Sequence, residues 1–178
     1  DTEQAVSALF QRLRTQYDLI LTTGGVSVGD YDFVRPVALK IGFEQLFWKV
    51  KQKPGKPMFF AKSERPDQNP CYLLGLPGNP AAVYIAMQIY VSTLISTVQG
   101  QKQLPQWFSA VISHDLKVDS RERFLRMALS FDSGMLKLSS LPKQQSHMLS
   151  NLMQANCIVR IPAAQSIQAG QILQGLFI

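Results

Sequence analysis

The sequence predicts an α/β domain followed by a small all-β, barrel-like domain, on three observations. The first hundred residues alternate helix-periodic and strand-like segments around a glycine-rich turn. From residue 107 onward, short apolar runs separated by turn residues take over, the pattern of a small barrel or sandwich. Between them, 99–106 (QGQKQLPQ) is polar and contains proline, which marks a boundary and sets the domains at 1–99 and 100–178.

Each element has its own warrant. Over 2–16, Val6, Leu9, Phe10 and Leu13 recur at helical spacing, with Glu3 in the first turn and Arg12 and Arg14 near the end, as the helix dipole favours. A chain that opens on a helix suggests that a strand precedes it in a longer protein. Residues 19–22 read as a strand, and 33–41 as a second helix ended by Gly42. Helix, strand, loop, helix implies a parallel sheet with helices packed on it. The bulky run 44–53 (EQLFWKVKQK) reads as one strand, whose period of two puts Lys49, Lys51 and Lys53 on one face. Residues 54–57 form a proline-stiffened turn. Residues 58–61 and 71–76 read as antiparallel neighbours joined by a polar loop over 62–70. Asn79 and Pro80 suit the cap and first position of an uncharged helix over 80–98. In the second half, 107–112, 124–131, 135–138, 157–161 and 172–177 read as strands. Residues 132–134 (Asp-Ser-Gly) read as a hairpin turn, and 146–153 as a short helix or irregular loop.

Composition narrows the function. The chain has 178 residues, 46% hydrophobic and 17% charged, with a net charge of +6. That charge suits a small anionic ligand or a basic surface. No arginine-rich tract or aromatic RNA-binding motif accompanies it, so nucleic acid is not the expected partner. Residues 80–98 are long enough to cross a bilayer, but Gln88, Ser92, Thr93, Ser96 and Thr97 and the lack of flanking lysine clusters favour a helix buried in an α/β domain, and no membrane partner. Cys71 and Cys157 read as buried reduced thiols, consistent with a cytoplasmic protein. The two histidines, His114 and His147, lack partners at zinc-ligand spacing and read as surface or packing residues.

The chemistry concentrates in 18–32, DLILTTGGVSVGDYD. A strand, a glycine turn and a helix start present backbone N–H groups to an anion, and Gly24, Gly25 and Gly29 let the backbone come close to it. Asp30 and Asp32 beside an anion suggest an intervening Mg²⁺; a plain N-cap role for Asp32 is the other reading. The lysine row is either an anion-binding face or a solvated edge strand. The turn LPGNP at 76–80 is a second strand-to-helix junction, serving an anion or merely capping a helix.

Taken in order, TTGGVSVGDYDF, FWKVKQKPGKP and GLPGNP resemble the molybdopterin molybdenumtransferase family (MoeA and the E domain of gephyrin). RERFLRMALS, SLPKQQSHMLSNLMQANCIVRIP and AGQIL are similar to that family's C-terminal β domain. The resemblance implies a three-layer α/β/α molybdopterin-binding domain, here lacking its first strands, followed by a small β-barrel domain. It implies insertion of molybdate-derived molybdenum into adenylylated molybdopterin with release of AMP, dependence on Mg²⁺, and a homodimer in the full-length protein. Carried over by position, Asp32, Lys49, Lys53 and Asp1 would be catalytic, with Asp32 also at the metal. Gly24, Gly25, Ser27, Gly29, Pro77, Gly78, Asn79, Pro80 and Ser146 would hold the ligand. The family's QGSH-type motif reads Gln144-Gln145-Ser146-His147 here, with Gln145 in the glycine's place. The alternatives are a binding or scaffold module without turnover, and a molybdopterin adenylyltransferase, a related family that lacks the β-rich tail.

Overall fold

The computed structural model describes residues 2–29, 31–66, 68–101, 105–145 and 147–178. The chain divides into two compact units, 1–50 with 55–83, and 51–54 with 84–178.

In the first unit, helix α1 (Glu3–Gln16) opens on Thr2, whose hydroxyl accepts the Ala5 N–H at 3.3 Å. Phe10 is buried, with Val6 and Leu13 packed beside it. Leu9, expected on the inward face, is 41% exposed, so the buried stripe is narrower than the periodicity suggests. Strand β1 (Leu19–Thr23) follows, then helix α2 (Val34–Lys40). Gly42, at φ +95°, ends α2: its N–H reaches Leu39 O and the Phe43 N–H reaches Ala38 O, a Schellman closure that a left-handed residue permits.

Strand β2 (Glu44–Trp48) is shorter than the ten-residue strand the sequence suggests. The chain leaves it at Lys49, which adopts a left-handed φ of +66°, and the two-residue strand β3 (Gln52–Lys53) belongs to the other sheet. The alternation that would align Lys49, Lys51 and Lys53 is therefore broken. Conversely, β4 (Phe59–Arg65) and β5 (Gln68–Leu76) extend through most of the expected 62–70 loop. Lys62 and Glu64 ride the more exposed side of this hairpin, while Phe59, Ala61 and Ser63 alternate with them on its buried side.

The sheet order is β1-β5-β4-β2, with β1 and β5 parallel and the remaining neighbours antiparallel. Ile20, Phe59, Ala61, Cys71 and Leu73 form one core with Phe10 of α1 and Val34, Val37 and Ala38 of α2. The other face carries a row of half-buried rings, Phe47 against Phe60 and Phe60 stacked on Tyr72 at 5.8 Å.

Helix α3 (Pro80–Val98) contains a π-turn at Met87–Val91, and the boundary between the units falls at Val83. The helix is apolar and long enough to cross a membrane, yet only 33% of it is buried. Within the second unit, Ile85 and Ile89 pack with Phe124 and Ile158, whereas Ser92–Val98 contributes no buried residue. The expectation of a buried helix holds for its first half only. In the second half, Thr93 and Thr97 hydroxyls bond back to Ile89 O and Thr93 O, and polar side chains interrupt the apolar face.

The rest of the second unit is a closed barrel. Strands β6 (Phe108–Ile112), β7 (Glu122–Asp132), β8 (Met135–Ser140), β9 (Cys157–Ile161) and β10 (Ile172–Phe177) run in the order β7-β8-β6-β10-β9, and β9 pairs back onto β7. Ser133 and Gly134, both at positive φ, make the two-residue hairpin turn between Asp132 and Met135. Gly175 leaves room for the ring of its cross-strand partner Phe108, which lies where a Cβ would be. Among the described residues of this stretch, 147–153, a short 3₁₀ turn forms at Ser150–Met153. Both cysteines are buried and unpaired, and burial pushes the Cys157 thiol up to about 11.

Candidate functional site

Because β1 and β5 are parallel, their carboxyl ends open at the same edge of the sheet, with Thr23 opposite Leu76. Ligands of α/β sheets bind outside that edge. Both strand-to-helix junctions lie there and touch. The Gly24 N–H donates to Leu76 O at 2.9 Å, and a Cβ on Gly78 would sit 3.6 Å from the Gly24 Cα. Gly24 and Gly25 take φ of +82° and +70°, which other residues adopt only at a cost. A Cβ on Gly25 would also come within 2.9 Å of Val34 Cγ2, so this glycine serves both conformation and space.

The loop beyond is closed by Asp32. Its Oδ2 accepts the Gly29 N–H at 2.7 Å, while its own N–H donates to Gly29 O at 3.0 Å. Helix α2 is capped at Phe33 without a side-chain bond, so the N-cap reading of Asp32 is not what forms. Ser27 and Gly29 are exposed beside it. In the second turn Pro77 is buried, Gly78, Asn79 and Pro80 are exposed, and the Asn79 carbonyl accepts the Ala82 and Val83 N–H groups at 3.0 Å.

Lys49 belongs to this same unit. It is exposed, its backbone N–H donates to Met58 O at 2.8 Å, and its Nζ lies 3.9 Å from the centre of the Trp48 ring. A left-handed non-glycine residue is a form of strain that functional sites tend to hold. Lys53 belongs to the second unit, where its Nζ pairs with Asp119 Oδ2 at 3.2 Å. The Arg121 backbone N–H and then Lys53 hold the Asp119 carboxyl below its ordinary value. The two lysines assigned together are thus held by different units and different partners.

Asp1 and Ser146, both assigned as site residues, and Asp30 lie outside the described residues. The segment around the Gln144–Gln145 motif is anchored by Arg126, only 1% exposed, whose guanidinium donates to the carbonyls of Lys143, Gln145 and Met148. Gln144 brackets the Arg126 backbone from both sides. Sequence reasoning passed over Arg126, Asp119, Trp48 and Gly75. Gly75 could have been suspected as a glycine inside a strand: a Cβ there would meet Val26 Cγ1 at 2.4 Å.

Comparison with known proteins gives two family matches. Residues 1–97 match the probable molybdopterin binding domain, and 109–176 match the MoeA C-terminal region (domain IV). A molybdopterin molybdenumtransferase of Haemophilus influenzae is 34% identical over 96% of this chain and 42% of its own length. The molybdenum cofactor synthesis protein cinnamon of Drosophila melanogaster is 32% identical over 93% of the chain and 26% of its own length. The chain thus spans less than half the length of these relatives. A solved molybdopterin biosynthesis MoeA protein from Pyrococcus horikosii shares the fold, with a TM-score of 0.72 at 19% identity over 99% of this chain and 41% of that one.

Proposed function

This chain belongs to the family that joins a molybdopterin-binding domain to a MoeA C-terminal region, and we propose that it is the ligand-binding and C-terminal portion of a molybdopterin molybdenumtransferase. The substrates would be adenylylated molybdopterin and molybdate, with AMP released. The observation that carries this reading is the meeting of Gly24 and Gly78 at one edge of the β1–β5 pair, with Asp32 in the same loop. Two backbone turns side by side suit a pyrophosphate, whose charge is spread over several oxygens. The MoeA-type barrel supports a molybdenumtransferase over an adenylyltransferase.

Mg²⁺ fits the donor set. Among the described residues no group of three or more His, Cys, Asp or Glu side chains forms a protein cage. Mg²⁺ typically takes one or two carboxylates and completes its shell with phosphates and water. Asp32, its Oδ2 fixed by Gly29, supplies one such carboxylate. When bound, the ion would neutralise charge on the pyrophosphate. The chain's own residues do the rest: Gly24 and Gly25 allow close approach of the backbone, Asp32 keeps the loop closed, and Lys49 offers an exposed cation to phosphate or molybdate. The protein would act as a cytoplasmic homodimer.

AMP release from adenylylated molybdopterin in the presence of molybdate tests the catalytic assignment. In the full-length protein, Asp32→Asn should lower the rate by about 100-fold or more with an unchanged unfolding midpoint. Full activity in that variant would remove Asp32 from the mechanism. A parent that binds ligand without releasing AMP would instead favour a binding module.

A further inference from the structure

Trp48 joins three parts of the first unit. It ends β2 half-buried, and its Nε1–H donates to Val26 O in the glycine loop at 3.1 Å. Val26 is itself wedged, 2% exposed, with its side chain in the space that the missing Cβ of Gly75 leaves. Two cations rest over the indole: Lys49 Nζ at 3.9 Å and the Arg35 guanidinium carbon at 4.0 Å from its centre. Arg35 comes from α2, just beyond the loop, and its Nε donates to Gln45 Oε1 at 2.8 Å, which aims it along β2. Among the described residues neither cation has a carboxylate partner within salt-bridge distance, so both charges remain available to an anion. An aromatic ring has a negative potential over each of its two faces, so it can attract more than one cation, and an arriving anion would relieve what repulsion remains between them.

Resting on the reading of this edge as the ligand site, we propose that Trp48 is its positioning residue, setting Lys49 against the glycine loop, and that Arg35 is a second anion-binding charge. The indole would then have two separable tasks. Its ring parks the ammonium that meets the ligand's phosphate or molybdate oxygens. Its N–H fixes the Val26 carbonyl and with it the shape of the loop. The left-handed backbone of Lys49 makes this possible, because it turns the side chain back over the preceding residue.

The chain has two tryptophans, so Trp107→Phe leaves Trp48 as the sole emitter. In that background Lys49→Met should alter the Trp48 emission without ligand, since the ammonium leaves the ring. Titration with adenylylated molybdopterin and Mg²⁺ should give a saturable emission change in the parent. Affinity, read by titration calorimetry because the Trp48 variants lose the emitter, should fall about tenfold in Arg35→Gln and in Trp48→Leu, and less in Trp48→Phe, which keeps an aromatic ring but loses the N–H. The combined loss in Trp48→Leu with Lys49→Ala should be smaller than the product of the two single losses, because part of the Trp48 effect runs through Lys49, while Arg35→Gln keeps the parent's unfolding midpoint. Additive losses at Trp48 and Lys49, or full affinity in Arg35→Gln, would overturn the proposal while leaving the ligand site standing. Absence of binding in the parent, with the ligand-free emission responding to Lys49→Met, would overturn the underlying site reading and the proposal with it.

Discussion

The glycine loop after β1 and the proline turn after β5 both carry a strand into a helix at one edge of the sheet, yet they are held by different means. The first spans about ten residues and relies on ties: Gly24 to Leu76, Asp32 to Gly29, Trp48 to Val26, and left-handed backbone at Gly24 and Gly25. The second takes three residues between strand and helix, and its shape follows from the fixed torsions of Pro77 and Pro80 and the capping carbonyl of Asn79. A loop closed by side chains can adjust when one tie is exchanged for a ligand. A proline turn has no such side-chain tie to exchange.

The comparison breaks most visibly at the glycines. Gly25→Val must hold a branched side chain at φ +70° and push against Val34, so the first unit should lose about 2–4 kcal/mol in urea unfolding. Next in size is the tie at Asp32. Asp32→Ala removes the acceptor for the Gly29 N–H and should cost about 1 kcal/mol, whereas Asp32→Asn keeps an acceptor oxygen and should cost less than half of that. Equal losses would mean that charge, not the hydrogen bond, closes the loop. Gly78→Ala should change stability by no more than about 0.5 kcal/mol, because its φ is not left-handed and its new Cβ meets only the Gly24 Cα at an ordinary distance. A large loss there would show that the two turns are equally intolerant.

The second unit supplies the smallest effect, a change of pH dependence. The native Asp119 carboxyl lies below its ordinary value, so its contribution is complete above about pH 4 and disappears as pH falls through the native value. Stability of Asp119→Asn should therefore lie below the parent's at neutral pH and converge with it in acid. A gap that widens on acidification would reverse the sign assigned to the Lys53–Asp119 pair.

Much of this was readable from residue order. The helices beside Phe10 and Val37, the β1 strand, the Ser133–Gly134 turn and two barrel strands announce themselves through local periodicity and turn chemistry. What local pattern misses is which sheet a residue joins. The run from Glu44 to Lys53 looks continuous, but its tail pairs with β7, far along the chain, and a left-handed lysine that no propensity flags makes the break. The same limit hid Trp48, Asp119 and Arg126, whose meaning comes from partners 22, 66 and 17–22 residues away. The glycine and proline turns were legible because their chemistry is local. Their contact, which makes them one site, comes from the parallel pairing of β1 with β5.

Equilibrium binding of adenylylated molybdopterin to this chain, with and without Mg²⁺, decides whether the β1–β5 edge is the ligand site. Binding should be saturable, strengthened by Mg²⁺ and weakened about tenfold by Lys49→Ala, and Asp32→Asn should remove the gain from Mg²⁺. Binding that neither substitution alters would place the ligand elsewhere and contradict that assignment.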